Sequence, residues 1–404
     1  MTATSPSTRP RTWTATSCPT CGAHQRLVFH EVRQVPAHSV LLMPTREEAL
    51  GYPSGDITLA FCEVCGLISN VTFDPGLHEY SARYEETQGF SATFNAFHRR
   101  LALRLIERYG LRDKDIIEIG CGKGEFLALL CELGGNRGIG FDPAYVSERD
   151  PSGRNGRVRF IDDFYSEKYA EYRGDFVCCK MTLEHIPETA GFVRTVRRGI
   201  GDRPETVVFF QVPDVTRILR EFAFWDIYYE HCSYFTAGSL ARLFRRCGFD
   251  VLDVTTDYAG QYLLLEARPS VGEPTAPGAA EDDLGGLVCD VGRFAERSPE
   301  ILAAWRSRLA EFRRRGRRTV IWGGGSKGVA FLTTLQVHDE VHYAVDINPY
   351  KRGTYMAGTG HEIVEPDFLR ACRPDVVIVM NPVYQGEVAQ QLSAMGLYPE
   401  LVTV

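Results

Sequence analysis

Apolar residues follow a repeating strand and helix pattern in two separate stretches of the chain. The first stretch begins at Asp115 and continues to about Ala267, and each short apolar run in it is followed by a helical segment. The second begins just after Arg318 with TVIWGGGSKGVAFL, VHYAVDIN and DVVIVMN. Short apolar strands that alternate with helices are typical of parallel sheets covered on both faces. The pattern therefore predicts two α/β units.

The segments around these two units have different patterns. Residues 14–85 are rich in loops, and residues 91–110 carry apolar residues at the spacing of an amphipathic helix. Residues 268–286 are rich in proline, glycine and acidic residues, which predicts a linker, and residues 287–315 predict a helix with charged faces. We therefore expect three domains, with the bounds 1–85, 86–267 and 268–404.

Composition narrows the class of protein. The 404 residues are 44% hydrophobic and 24% charged, as in ordinary globular proteins, and the net charge of −7 argues against a nucleic-acid-binding protein. Apolar runs are shorter than the roughly 18–20 residues of a membrane span. Residues Met1 to Trp13 are polar and unlike a signal peptide, so they predict a disordered leader. We expect a cytoplasmic, monomeric protein that binds no membrane.

Two pairs of cysteines predict a metal site in the first domain. Cys18 and Cys21 form one CxxC pair, Cys62 and Cys65 form the other, and each pair is followed by a glycine. Two residues between thiolates let one turn direct both sulfurs at a tetrahedral ion. Four thiolates leave no open position on zinc, so the site would be structural and would couple metal binding to folding. The alternative is two redox-active or unrelated cysteine pairs.

A glycine-rich segment after a strand predicts the main ligand site. The segment DIIEIGCGKGEF places Glu118 near the end of the strand and has glycines at positions 120, 122 and 124. Glycines let a backbone approach a ligand where a Cβ would collide. The nicotinamide fingerprint GxGxxG requires a glycine at position 125, where this chain has Glu125. Gly120, Gly122 and Gly124 after an acidic strand end instead resemble the S-adenosylmethionine motif of class I methyltransferases.

Acidic residues end the next two predicted strands. Asp142 follows the apolar run GIGF, and a carboxylate at that place can bind both hydroxyls of a ribose. Asp162 and Asp163 close the following strand and are candidates for the edge of the adenine. Considered separately, each of these acidic residues is also compatible with an ordinary solvent-exposed position in a loop.

The segment DIYYEHCSYF predicts the reacting centre. It combines three tyrosines, two carboxylates and a histidine within residues 226–235. Methylation of a carbon requires a proton to leave next to a carbonyl group, and His231 suits the role of base because the ordinary pKa of histidine lies near 7. A phenol or a second histidine can donate to the developing enolate oxygen. A histidine in an aromatic stretch also fits simple packing, and the same holds for His185.

The last α/β unit contains a second glycine loop. The segment IWGGGSKG fits GxGxxG between a strand and a helix, and Asp346 ends the next strand. By itself this pattern favours NAD, but the motif is weakly specific. Backbone N–H groups of Gly325 and Ser326 at a helix N-terminus, with Lys327 beside them, favour a pyrophosphate. The alternative is a glycine turn that serves packing alone.

Taken together, the motifs resemble the deoxysugar C-methyltransferases of antibiotic biosynthesis. The resemblance covers the chain from Cys18 to about Leu397, and it rests on the cysteine pairs, the Glu118–Gly124 loop, Leu183-Glu-His185, Tyr228-Tyr-Glu-His231 and Gly325-Ser-Lys-Gly328. It implies a zinc domain, an S-adenosylmethionine domain and a Rossmann-like C-terminal domain that helps to hold a nucleotide-linked 4-keto sugar, with dTDP as the expected nucleotide. It also implies His231 as the general base, supported by Tyr228 and Glu230, with Tyr84 and His185 lining the same pocket.

Three segments depart from the pattern of the family. Lys180-Met-Thr182 stands where many relatives have Arg-His, Gly260-Gln-Tyr262 replaces a Gly-Gly-Ser, and Asn381-Pro-Val-Tyr384 replaces a segment with tryptophan. The reaction class is therefore better indicated than the acceptor. O- or N-methylation of a sugar or another small molecule stays open, as do a nicotinamide-linked oxidoreductase and a non-enzymatic binding module.

Overall fold

A computed structural model describes residues 12–78, 80–150, 156–272 and 275–404. The described residues form three β-sheets, two of which are flanked by helices. Most of the predicted disordered leader, residues 1–11, lies outside the described residues. For its last two residues, Thr12 and Trp13, the prediction is wrong, because they belong to a short strand.

The N-terminal part of the chain builds an antiparallel sheet around the two cysteine turns. Its elements, in chain order, are β1 (Thr12–Thr14), β2 (Arg26–Pro36), α1 (Arg46–Gly51), β3 (Ser54–Phe61) and β4 (Ile68–Asn70). The four strands pair in sequence order, and β2 and β3 share the longest ladder. One cysteine pair lies between β1 and β2, and the other lies in the turn between β3 and β4.

The central sheet has seven strands in the order β11-β12-β9-β8-β5-β6-β7. The strands from β9 to β7 pair in parallel, whereas β12 and β11 are antiparallel. The elements of this part are α2 (Ala92–Tyr109), β5 (Asp115–Ile119), α3 (Glu125–Gly134), β6 (Arg137–Phe141), β7 (Val158–Ile161), β8 (Phe176–Lys180), α4 (Thr189–Ile200), β9 (Val207–Pro213), α5 (Val215–Glu221), β10 (Ser233–Tyr234), α6 (Ala237–Arg246), β11 (Phe249–Asp257) and β12 (Tyr262–Pro269).

Helix α2 confirms the helix predicted for residues 91–110. The hydroxyl of Ser91 accepts a hydrogen bond from the Phe94 N–H and so caps the first turn. Gly110 ends the helix in the left-handed conformation. The residues at helical spacing between these caps, including Phe97, Leu101 and Leu105, are buried against the central sheet.

Strand β10 connects the first sheet to the central part of the chain. It lies between α5 and α6 in sequence, but it pairs antiparallel with β4, where Ser233 is opposite Ser69 and Tyr234 is opposite Ile68. The N–H of Asn70 also donates to the carbonyl oxygen of Cys232. Since β10 begins two residues after His231, the N-terminal sheet holds one end of the predicted reacting segment. This pairing was not predicted from the sequence.

The C-terminal part contains a parallel sheet of five strands in the order β15-β14-β13-β16-β17. A long helix precedes it, and the elements are α7 (Leu284–Arg314), β13 (Thr319–Trp322), α8 (Ser326–Leu335), β14 (Tyr343–Val345), β15 (Ile363–Val364), α9 (Leu369–Cys372), β16 (Val376–Val379), α10 (Gln385–Ala394) and β17 (Glu400–Thr403). The predicted linker at 268–286 is shorter than expected, because β12 extends to Pro269 and α7 begins at Leu284. Residues 273–274 of that linker lie outside the described residues.

Aromatic side chains pack the three parts against one another. Phe294 of α7 is fully buried between Phe29 and His30 of β2 on one side and Phe222 on the other. Phe224 stacks on Phe331 of α8 at a centroid distance of 5.9 Å. The predicted fold class is confirmed: a cysteine-turn head, a class I methyltransferase sheet and a Rossmann-like C-terminal sheet.

No helix in the described part of the chain is long and apolar enough to cross a membrane.

Candidate active site

One cavity of about 680 Å³ is lined by residues from all three parts of the chain. Strand order reverses at β5 in the central sheet and at β13 in the C-terminal sheet. In open α/β sheets, ligands bind beyond the carboxyl ends of the strands at such switch points. The loops that follow β5 and β13 both line this cavity, so the two predicted glycine loops face a common space.

The first glycine loop is shaped for close approach of a ligand. Gly120, Gly122 and Gly124 have φ values of 68°, 55° and 83°, which other residues adopt rarely. A Cβ at these three positions would collide with the side chains of Thr182, Glu86 and Phe160, respectively. The backbone of this loop therefore forms part of the cavity wall, as predicted.

Glu118 of β5 lies beneath this loop and is 2% exposed. Burial raises its pKa to about 7, although the nearby Lys180 acts in the opposite direction. Its Oε2 atom has no hydrogen-bond partner among the described residues, and the side chain lines the cavity. A buried carboxylate oxygen without a partner fits an ammonium group of a ligand.

The predicted nucleoside-binding acids take different positions. Asp142 follows β6 and accepts hydrogen bonds from the N–H groups of Gly122 and Ala144 at 2.8 and 2.7 Å, and burial raises its pKa. Asp163 lines the cavity, although its carboxylate also contacts Lys168 and Tyr169. Asp162 is exposed and is not among the residues that line the cavity. The structure thus brings Asp142 and Asp163 to the site.

The four predicted metal-ligating cysteines converge. Their sulfur atoms lie within 4.8 Å of one another, and the Cys18–Cys65 and Cys21–Cys62 sulfur distances are both 3.6 Å. Tetrahedral zinc with Zn–S bonds of about 2.3 Å requires sulfur separations of about 3.8 Å. The two turns have the same form, because the N–H of each following glycine donates to the carbonyl of the first cysteine in its pair. The residues present therefore fit zinc.

The predicted reacting segment is fixed by Glu230. This side chain is 1% exposed, and its Oε1 accepts hydrogen bonds from the N–H and the hydroxyl of Ser39 at 2.6 and 2.7 Å. The hydroxyl of Ser39 also lies 2.8 Å from that of Ser326, in the second glycine loop. Burial by itself would raise the pKa of Glu230, but hydrogen bonds from His38 and Ser39 lower it to about 2.

His231 lies in the cavity wall and is 3% exposed. Its ring centroid is 4.8 Å from that of His185 and 4.1 Å from that of Tyr228. Burial, and next the positive charge of Lys327, lowers the pKa of His231 to about 3. Its imidazole is therefore neutral at ordinary pH, which is the form that accepts a proton.

Glu184 is the carboxylate that faces the predicted base. Its Oε1 lies 3.9 Å from His231 Nε2, whereas the Oε1 of Glu230 lies 3.4 Å from Nδ1 of His38. Burial raises the pKa of Glu184 to about 8, and neither of its oxygens has a hydrogen-bond partner within the described ranges. The carboxylate of Glu230 thus contacts His38 and Ser39, and its predicted support of His231 stays a prediction.

The remaining predicted pocket residues also line the cavity. Tyr84 packs at 5.3 Å from Tyr80 and 5.8 Å from His38, measured between ring centroids. Burial raises the pKa of Tyr84 and of Tyr228 well above the ordinary value, so both hydroxyls keep their protons.

The second glycine loop reaches the cavity with an ion pair already formed. Gly325, Ser326, Lys327 and Asp346 all line the cavity. The Lys327 ammonium contacts Asp226, which also contacts Arg217. Asp346 accepts hydrogen bonds from the N–H groups of Gly324 and Asn348 at 2.9 and 2.8 Å. Lys327 therefore ties this loop to the reacting segment, a contact that the sequence did not predict.

The three segments that depart from the family pattern meet in this cavity. Gln261 and Asn381 form a reciprocal pair of amide hydrogen bonds at 2.9 and 3.1 Å. The hydroxyl of Tyr384 accepts a hydrogen bond from Tyr258 at 2.6 Å. Lys180 lines the same cavity, with its ammonium 2.9 Å from His98 Nε2. Residues from all three of the segments that differ from the family pattern are therefore part of the lining of this one cavity.

Sequence reasoning missed several side chains around His231. Glu184 was part of a quoted motif but received no role, and His38, His78 and Tyr80 come from loops of the N-terminal part. The only sequence signal for the last three is a local concentration of histidine and tyrosine before Tyr84. Without a periodic pattern, such a signal does not reveal which domain the side chains contact.

Comparison with known proteins agrees with the site. A family described as methyltransferase domain matches residues 94–254, and a family described as C-methyltransferase C-terminal domain matches residues 287–397. The C-methyltransferase NovU of Streptomyces niveus is 27% identical over 313 residues, which cover 72% of this chain and 72% of NovU.

Two further proteins are similar to a smaller share of the chain. The ubiquinone biosynthesis O-methyltransferase of Proteus mirabilis is 31% identical over 126 residues, which are 29% of this chain and 51% of that protein. The structure of the 1,6-didemethyltoxoflavin-N1-methyltransferase of Burkholderia thailandensis, with its bound ligand and S-adenosylhomocysteine, gives a TM-score of 0.34 and 21% identity. It covers 43% of this chain and 79% of that chain.

Asp142→Asn tests the first glycine loop and the acid that supports it. The substitution removes the negative charge that we expect to bind the ribose hydroxyls. It also weakens the hydrogen bond that the Asp142 side chain accepts from the N–H of Gly122. We expect the affinity for S-adenosylhomocysteine to fall by about 10-fold or more, since a charged hydrogen bond contributes roughly 1.5–3 kcal/mol. Isothermal titration calorimetry measures it. Asp162→Asn is the matched control and should bind as the wild type does; equal losses in both variants would contradict the assignment.

Proposed function

Because this chain is an S-adenosylmethionine-dependent methyltransferase with a C-methyltransferase C-terminal domain, we propose that it methylates a carbon next to the keto group of a nucleotide-linked deoxysugar. The nucleotide we expect is dTDP. NovU, which is similar over 72% of both chains, supports carbon as the atom that is methylated.

The observation that carries the proposal is the position of His231. A neutral imidazole, a buried carboxyl group and a second imidazole share one wall of the cavity that the first glycine loop also lines. Enolate chemistry requires a base beside the site of the methyl donor, because the carbanion must form where it is consumed. This arrangement supplies that base.

His231 takes the proton from the acidic C–H bond in the proposed reaction. The electron pair of that bond becomes the enolate, and the imidazole becomes an imidazolium ion. Burial opposes this charge, while Glu184, at 3.9 Å from Nε2, provides a group whose ionised form would offset it. The low pKa of His231 makes its imidazole a weak base. Proton transfer to it therefore requires a C–H bond that the neighbouring ketone of the acceptor makes acidic.

The enolate oxygen requires a hydrogen-bond donor. Tyr228 keeps its hydroxyl proton, lies beside His231 and lines the cavity, so it suits this role. His185 is a second candidate, because its ring meets that of His231 edge to face. A hydrogen-bond donor that points at the developing negative charge, in a site without bulk water, increases the rate by a factor of about 10²–10³.

The methyl donor fits the first glycine loop. Gly120, Gly122 and Gly124 would provide backbone contact, Glu118 would hold the ammonium group of the donor, and Asp142 would hold its ribose. When bound, S-adenosylmethionine supplies an electrophilic methyl group on a sulfonium ion. The protein contributes position, because holding the nucleophile and the electrophile together replaces a collision between two solutes.

The second glycine loop is proposed to hold the nucleotide of the acceptor. The N-terminus of α8 presents backbone N–H groups at Ser326 and beyond, which favour a pyrophosphate. Lys327 contributes less charge than the sequence suggested, because Asp226 already neutralises it. The backbone rather than the lysine would therefore make the main contacts.

O-methylation or N-methylation is the second candidate function. It is favoured by the similarity of 126 residues of this chain to an O-methyltransferase, and His231 would then deprotonate a hydroxyl or an amine. Loss of deuterium from carbon distinguishes the two functions, since an O- or N-methyltransferase does not exchange a C–H bond.

His231→Asn tests the base. The substrate is a dTDP-linked 4-keto-deoxysugar deuterated next to the ketone, from which we expect the wild type to release deuterium. The variant should release it about 10²–10⁴-fold more slowly, since this factor is the usual contribution of a general base. Mass spectrometry measures both exchange and methylation. Because burial lowers the pKa of His231, its protonation should limit activity well below pH 6.5 rather than near it.

The control for this test is His30→Asn. His30 is a buried imidazole in β2 that packs against Phe294, away from the cavity, so its variant should keep wild-type exchange. Methylation by the wild type without any exchange of the C–H deuterium would favour methylation of a heteroatom. Full exchange by His231→Asn would remove this residue as the base.

We also propose that the four cysteines hold one zinc ion that stabilises the N-terminal sheet. Cys62→Ser should lower the zinc content from about one to near zero per chain and lower the melting temperature, since structural zinc contributes directly to folding. Cys289→Ser changes an exposed thiol and should do neither. Mass spectrometry of bound metal and thermal unfolding provide the measurements. Unchanged metal content in Cys62→Ser would contradict the site.

A further inference from the structure

Four imidazoles form a row that begins at the proposed base. The ring centroids are 4.8 Å apart between His231 and His185, 6.2 Å between His185 and His78, and 4.2 Å between His78 and His38. We call these residues the histidine row. We propose that the histidine row, with bridging water, carries the proton received by His231 out of the cavity after each methyl transfer. This inference rests on the proposed function, in which His231 is the base.

Proton balance requires such an exit. In each turnover the carbon loses a proton and gains a methyl group, and the donor changes from a sulfonium ion to a neutral thioether, so one proton is released. His231 holds that proton as an imidazolium ion and must lose it before it can act again. The side chain is only 3% exposed, and after transfer the methylated product and the spent donor would fill the cavity in front of it.

The outer half of the row lies outside the lining of the cavity. His231 and His185 line it, whereas His38 and His78 are outside its lining residues. His78 is partly exposed, whereas His38, the last ring of the row, is fully buried. The proton would therefore leave through His78, which is not among the residues that line the cavity, and the outer half of the row comes from the N-terminal part of the chain.

The ring nitrogens needed for transfer are available. His231 Nδ1, His185 Nδ1 and His78 Nε2 are buried, and none of the three has a hydrogen-bond partner among the residues the structure describes. A neutral imidazole has one donor and one acceptor nitrogen, so it can receive a proton on one side and release another on the opposite side. The rings of His78 and His38 are stacked in contact, so a bridging water would lie at the edge of the rings and link their nitrogens there.

A fixed negative charge lies beside the outer half of the row. The Glu230 carboxylate is 3.4 Å from His38 Nδ1 and stays ionised, since its pKa is about 2. Lys327 disfavours positive charge on His231, and Glu184, Tyr80 and Tyr84 also face the row. Lys327 thus disfavours positive charge on His231 at the cavity end, whereas the Glu230 carboxylate favours it on His78, and this difference gives transfer a direction.

The test separates proton removal from proton release. His78→Phe keeps a ring of similar size but cannot transfer a proton, and His30→Phe is the matched control outside the row. The acceptor is the dTDP-linked 4-keto-deoxysugar deuterated next to the ketone. In one experiment, S-adenosylhomocysteine replaces the methyl donor and exchange of deuterium with water is followed. In the other, rapid quenching follows the first and later methyl transfers.

We expect exchange by His78→Phe to fall about 10-fold or more, because the deuteron returns from His231 to the carbon instead of leaving. The first methyl transfer should keep its rate within about twofold, while later turnovers slow. His30→Phe should match the wild type in both experiments. A second variant, His78→Ala, should regain exchange when imidazole is added to the buffer, which a merely structural loss would not show.

Different failures have different meanings. Wild-type rates of exchange and turnover in His78→Phe would overturn the histidine row and leave His231 as the base. Equal loss of the first and later methyl transfers, without rescue by imidazole, would assign His78 a structural role and also overturn the proposal. Absence of exchange in the wild type itself would overturn the proposed function.

Discussion

The arrangement of this protein depends on a single buried carboxylate, that of Glu230. Its Oε1 holds Ser39 of the N-terminal part, and the Ser39 hydroxyl in turn contacts Ser326 of the C-terminal part. Removing one partner of a buried, hydrogen-bonded charge is strongly destabilising, because the other partner stays in a medium that solvates it poorly. Glu230 adjoins His231, so the interaction that joins the three parts also sets the position of the proposed base.

Two further tethers act on the same segment. Asp226 pairs with Lys327 of the second glycine loop, and β10 pairs with β4 directly beyond His231. The cysteine turn that precedes β4 therefore lies one hairpin away from the reacting centre. This explains why a four-cysteine cluster and a Rossmann-like C-terminal sheet accompany a methyltransferase sheet. Each holds one side of a short segment that has little regular structure of its own.

The sequence predicted the parts of the molecule that follow local rules. Strand, glycine and helix patterns located β5, β13 and their loops, and CxxC spacing located four cysteines that meet in space. The pairing of β10 with β4 and the position of Glu184 beside His231 depend on contacts between distant segments. No periodicity encodes such contacts. Lys327 is a further example of a contact between distant segments. A lysine in a glycine loop predicts an anion ligand, and the sequence does not reveal that Asp226 already pairs with it.

Among the described residues of the cavity wall, Glu118, Glu184 and His231 each have at least one buried oxygen or nitrogen atom without a hydrogen-bond partner. Desolvation makes each of them costly, so their concentration in one place indicates a site that ligands complete. The most direct test is a crystal structure with S-adenosylhomocysteine and a dTDP-linked keto sugar bound. We predict a ring nitrogen of His231 within about 3.5 Å of the carbon next to the ketone, with the donor sulfur facing that carbon. An acceptor whose keto group lies away from His231 would contradict the account.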